Sequence, residues 1–96
     1  MTIKSTHNNI TILGNIKSLT HHHDIIKELE IIKREYQNIT IHILNSISIT
    51  SSVIGYFCKL VDSEKINLSL HINNNDLYNL LDELNLINVL NVQKIS

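Results

Sequence analysis

The chain predicts an α/β fold: a mixed, mainly parallel sheet opened by an N-terminal hairpin, with its helices mainly on one face. Three observations carry this expectation. Segments of strand and helix periodicity alternate in the order strand, strand, helix, strand, helix, strand, helix, strand, and strands separated by helices need crossover connections, hence parallel pairing. The two clearest strands, residues 39–43 and 68–72, place polar side chains at every second position, so one sheet face is apolar and the other at least partly wet; helices on both faces would demand strands apolar throughout. No linker, repeat or low-complexity tract divides the 96 residues, which make one domain around one core.

Residues 2–6 and 10–16 alternate loosely about His7, Asn8 and Asn9, which reads as the opening hairpin. Gly14 near the end of its second strand predicts a bulge or a close backbone approach. From about residue 22 to 36 the period becomes helical, with Ile25, Leu29, Ile32 and Tyr36 on one stripe and Lys27, Glu28, Glu30, Lys33, Arg34 and Glu35 outside it. Gln37 and Asn38 close that helix, and Ile39, Ile41 and Ile43 then alternate with Thr40 and His42. A second amphipathic helix carries Val53, Ile54, Phe57, Leu60 and Val61, and residues 62–65 form a polar connection. In the next strand Leu68, Leu70 and Ile72 oppose Asn67, Ser69 and His71. Asn75 is the candidate N-cap of a third helix bearing Leu77, Leu80, Leu81 and Leu84. Residues 89–95 offer a last strand. With no proline and only two glycines, the turns must be built from Asn, Asp and Ser.

Composition narrows the function classes. Apolar content of 43% fits a folded globular chain. A net charge of −1, no Lys/Arg cluster and only three Tyr and one Phe argue against a nucleic-acid partner. The single cysteine, Cys58, allows no intrachain disulfide, paired-cysteine redox motif or cysteine-rich zinc site, and its place beside Phe57 reads as a buried thiol. No run approaches the roughly 18 apolar residues of a membrane span, and the first residues lack a signal pattern, so the expected location is a reducing cytoplasm with no membrane partner.

Residues 43–60 organise the rest. A buried strand runs into Thr50-Ser51-Ser52 and then into the second helix, and any of the three hydroxyls is placed to accept from the free N–H groups of the first helical turn. A hydroxyl held there is also a natural place for a phosphoryl group, whose charge of roughly −1.5 to −2 the helix N-terminus favours.

This element order, with a Ser-rich turn at the head of the second helix, resembles the STAS domain shared by anti-sigma-factor antagonists and the cytoplasmic tails of sulphate transporters. The likeness covers nearly the whole chain. The family's Asp-Ser-Ser/Thr-Gly-Leu-Gly motif corresponds to Thr50-Ser51-Ser52-Val53-Ile54-Gly55, and residues 77–86 followed by Val89-Leu90-Asn91-Val92 resemble its third helix and last strand. The resemblance implies a strand–helix fold with helices on one side. It also implies partner switching, in which the module binds an anti-sigma-factor-like serine kinase or related regulator, is phosphorylated by it and is restored by a PP2C-type phosphatase. By position the acceptor is Ser51, with Ser52 its neighbour. Thr50 is the second candidate, since other STAS-like regulators with Thr-Ser-Ser at this junction use the Thr. The motif Asp is replaced by Thr50 and its first Gly by Val53, which removes a carboxylate and a permissive backbone position. The implied partner surface comprises Ile49, Thr50, Ser51, Ser52, Val53, Ile54 and Tyr56. The alternative reading is a constitutive, non-phosphorylated scaffold or homo-oligomerising subunit of the same fold, and a third and lesser one is a metal- or small-ligand-binding protein using the histidine-bearing sheet face.

Other residues point to less. His21-His22-His23 are consecutive at a helix start and cannot all converge on one metal. His42 and His71 lie on the polar face of neighbouring strands, where their rings can meet, but no third ligand is placed beside them, so neither a metal nor any other cofactor is expected. No sequence rule brings either histidine to Ser51, no carboxylate pair stands at catalytic spacing and no glycine-rich phosphate loop exists, so catalysis is not expected.

Overall fold

In the computed structural model, which describes residues 1–95, the elements follow in the predicted order: β1 (Thr2–Thr6), β2 (Asn9–Leu13), α1 (Leu19–Ile32), β3 (Asn38–Leu44), α2 (Ser51–Asp62), β4 (Asn67–Ile72), α3 (Asn75–Glu83) and β5 (Val92–Lys94). They form one five-stranded sheet in the order β1-β2-β3-β4-β5. β1 is antiparallel to β2, and every later pair is parallel. The crossovers all step one strand in the same direction. Connections of one hand that step one way deliver their helices to one side of the sheet.

Burial along the strands agrees. Ile10, Ile12, Ile39, Ile41, Ile43, Leu68, Leu70 and Ile72 are buried, whereas Thr11, Thr40, His42, Ser69 and His71 between them stay partly exposed. The helices supply the facing layer with Ile25, Leu29 and Ile32 from α1, Val53, Phe57 and Leu60 from α2, and Leu77 and Leu81 from α3. Each such side chain contributes about 1.5–3 kcal/mol on burial, so this single apolar layer holds the fold and the other sheet face is left open.

The element edges differ from expectation where short polar groups decide them. α1 begins at Leu19 rather than near His22, because Ser18 is its N-cap and its hydroxyl accepts from His21 N. It ends at Ile32, since Arg34 and Glu35 N–H groups bond three residues back to Ile31 and Ile32 instead of four, tightening the chain into a turn. The N-cap of α3 is Asn74, not Asn75: Asn74 has extended backbone angles and its side-chain oxygen accepts from Leu77 N at 3.0 Å. The last strand is Val92–Lys94, because residues 87–91 turn before it while Leu90 plugs into the core. The second strand stops at Leu13, and Gly14 turns out of it at φ +93 with Met1 Cα 3.5 Å from where a Cβ would stand, the close approach rather than a bulge. Asn45, Asn85 and Asn91 take positive φ, as expected of a chain that must turn without glycine; His7 and Lys65 do so too.

Candidate functional site

The β3–α2 connection sits at the C-terminal edge of the parallel strands, where ligands of open α/β sheets bind. Its shape follows from amide side chains on both neighbouring connections. Asn45 turns the chain out of β3 at φ +59; its N–H donates to Asn73 Oδ1 at 2.9 Å, and Asn73 Nδ2 returns a bond to Asn45 Oδ1 at 3.3 Å. On the other side Ile47 N donates to Asn15 Oδ1 at 2.9 Å, and Gly14 N to Leu44 O at 3.0 Å. Ser46, fully buried, donates through Oγ to Ser48 O at 2.7 Å, so the loop carries its own internal brace. These clamps hold Ile47 outward at 59% exposure, a large apolar side chain at the crown of a polar loop.

Thr50 then caps α2. Its backbone is extended, Oγ1 accepts from Val53 N at 3.3 Å, and its carbonyl accepts from Ile54 N. Ser51 and Ser52 occupy the first two helical positions, both exposed, and among the described residues neither N–H meets a backbone or side-chain acceptor. No acidic side chain lies in this first turn. The arrangement offers two outward hydroxyls beside two free N–H groups and an unneutralised helix dipole, which together favour an anion.

The remaining residues of the expected surface separate into two layers. Ile49 and Val53 are buried, at 9% and 0% exposure, so they support the junction from beneath and are not available to a partner. The β-branched side chain of Val53 fills the core under the turn. Ile54 is partly buried against the core. Tyr56 faces α1 and donates to Glu30 Oε2 at 2.6 Å, and Glu30 is paired in turn with Lys33. Burial and the neighbouring carboxylate push the Tyr56 phenol far above its ordinary range, while bonds from Lys33 and Tyr56 hold Glu30 below its own. Sequence reasoning missed Ile47 and its clamps, although an isoleucine between Ser46 and Ser48 in a polar turn is a visible signal.

On the open face, strand register sets His42 directly opposite His71. Their rings meet edge to face, with centroids 4.9 Å apart and planes at 88°. Burial, and then the other imidazole, lower the pKa of His42. At the start of α1, His21 Nδ1 accepts from Lys17 N at 3.3 Å, and the rings of His22 and His23 lie 5.7 Å apart. Among the described residues no group of three or more His, Cys, Asp or Glu side chains is gathered around one point. A shallow cavity of about 410 Å³, bordered by Asn38, Thr40, Asn67, Ser69 and Asn91, opens at the starts of β3 and β4, away from the hydroxyl junction. No helix is long and apolar enough to cross a membrane. Comparison with family models, curated proteins and solved structures found no match to this chain.

Proposed function

We propose that this chain is a non-enzymatic regulatory module of STAS type, acting in the cytoplasm, that docks a protein partner on the β3–α2 junction and is switched by phosphorylation of Ser51. The observation that carries the reading is the division of labour within Thr50-Ser51-Ser52. Thr50 is already spent on the cap, while Ser51 and Ser52 point to solvent beside N–H groups with no acceptor. A phosphoryl group on Ser51 adds roughly −1.5 to −2 charges where the helix end stabilises them, so the core stays folded while the surface changes sign. A partner seated on neutral hydroxyls and on Ile47 then faces a charge it must desolvate, and leaves. The partner class is a serine kinase of the anti-sigma-factor type, with a PP2C-type phosphatase reversing the step. Modification of Thr50 is disfavoured, because it displaces the cap.

The test is phosphate mapping by mass spectrometry after incubation with ATP and the candidate kinase, joined to pull-downs with wild type, Ser51→Asp and Ser51→Ala. Phosphate on Ser51, and a partner held by wild type and Ser51→Ala but lost by Ser51→Asp, is the expected result. If Thr50, Ser51 and Ser52 all stay bare while the partner is retained by every variant, the switch is excluded and the constitutive scaffold remains.

A further inference from the structure

The strand registers lay one transverse row across the open sheet face: Lys4, Thr11, His42, His71 and Gln93. At its centre two imidazoles face each other on adjacent parallel strands. We propose that His42 and His71 form a two-imidazole site for a borderline divalent transition cation, represented by Zn²⁺, with water completing its coordination.

Spacing is the first support. A zinc–nitrogen bond of about 2.0–2.1 Å puts the metal about 3.2 Å from each ring centroid, so two imidazoles sharing one cation at 90–109° have centroids about 4.5–5.2 Å apart. The observed separation is 4.9 Å. Backbone register sets the two residues side by side, and the rings, edge to face at 88°, must turn about their side-chain torsions to aim one nitrogen each at a shared point.

The amides beside His42 are the other support. Asn9 Nδ2 donates to Asn8 Oδ1 at 3.2 Å, which turns Asn9 Oδ1 toward His42 Nε2, 3.4 Å away. An amide oxygen on Nε2 favours the tautomer that carries its proton there and leaves the Nδ1 lone pair free, the way ligating histidines are oriented by a neighbouring oxygen. Among charged groups on the described strands of this face, Lys4 lies two strands from His42, about 10 Å across the sheet, and opposes a cation only weakly. Imidazole donors suit Zn²⁺, Ni²⁺ and Cu²⁺ over Mg²⁺ or Ca²⁺.

The experiment titrates ZnCl₂ into the full chain carrying His21→Asn, His22→Asn and His23→Asn, so that the histidine run cannot compete, with calorimetry and histidine-ring NMR as readouts. One equivalent bound, with the His42 and His71 ring signals shifting together, is expected. His42→Gln and His71→Gln are each expected to weaken binding at least about tenfold. Ring signals that stay unmoved up to about 1 mM Zn²⁺, or affinity unchanged in both glutamine variants, overturn the site. The ring spectra, taken on a chain that keeps both histidines, decide the matter even if either glutamine variant fails to fold.

Discussion

Two helices start at the same edge of the sheet and are prepared very differently. α3 follows β4 after only Asn73 and Asn74, is capped by Asn74, and carries Asp76 in its first turn. α2 follows β3 after a loop of residues 45–50, is capped by Thr50, and has no acid in its first turn, only two exposed serines. The first helix brings its own negative charge to its dipole; the second has none. Nothing in packing explains the contrast, because both helices have fully buried anchors, Phe57 at 0% in α2 and Leu77 at 0% in α3, although Leu80 and Leu84 of the expected α3 stripe are exposed. The difference is confined to the outer surface of one turn, the part of a helix that a partner or a modifying enzyme meets.

If the two helices are equal as structure, truncating either anchor should damage the fold alike. Phe57→Ala is expected to cost about 3–5 kcal/mol and Leu77→Ala about 2–5 kcal/mol, as seen in urea melts with unchanged slope. A Phe57 variant that loses under about 1 kcal/mol would mean α2 is loosely docked, and the comparison would then concern mobility instead of charge.

α2 also has a lateral tie to α1 in the bond from Tyr56 to Glu30, and acid should release it. Glu30 has a lowered folded pKa, from the bonds of Lys33 and then Tyr56, so its contribution is present above the unfolded value near 4.5 and lost as pH falls through the folded one. The Glu30 side chain is 41% exposed, so solvent screens part of the effect. Tyr56→Phe is expected to destabilise by about 1 kcal/mol at pH 7 and to converge on wild type below about pH 3, measured by urea melts across that range. A gap that persists in acid would assign the effect to packing of the ring.

How much of this could be read from the residues depends on how local each cause is. The element order and the one-sided sheet were legible because the strands Asn38–Leu44 and Asn67–Ile72 carry parallel apolar and polar alternation, and their matched pattern also places His42 beside His71. Caps were less legible: in Asn73-Asn74-Asn75-Asp76 every residue is a competent cap, and only backbone angles choose Asn74. The loop at the candidate site was the least legible, because Asn15 and Asn73 reach Ile47 and Asn45 from 32 and 28 residues away and no local pattern announces such bonds. Ile49 and Val53 read as partner surface because they adjoin hydroxyls, although Val53 also stands on the apolar stripe of the second helix, and both complete the core.

The caps themselves should behave alike: Thr50→Ala and Asn74→Ala are each expected to cost about 1 kcal/mol, since each removes one side-chain acceptor from a first-turn N–H. Charge is where they should part, and by less. Ser51→Asp places a carboxylate on the bare first turn of α2, and should stabilise by about 0.3–1 kcal/mol at low ionic strength. Asp76→Asn removes the acid α3 already has, and should destabilise by about the same amount. Both effects should shrink toward zero by about 1 M salt, where screening shortens the reach of charge to about 3 Å. Opposite signs at the two helices, with matching salt dependence in thermal or urea melts, would mean that α2 starts with an unfilled anion preference. If Ser51→Asp instead destabilises, an unseen negative neighbour already serves that turn, and a phosphoryl group there would strain the fold as well as repel a partner.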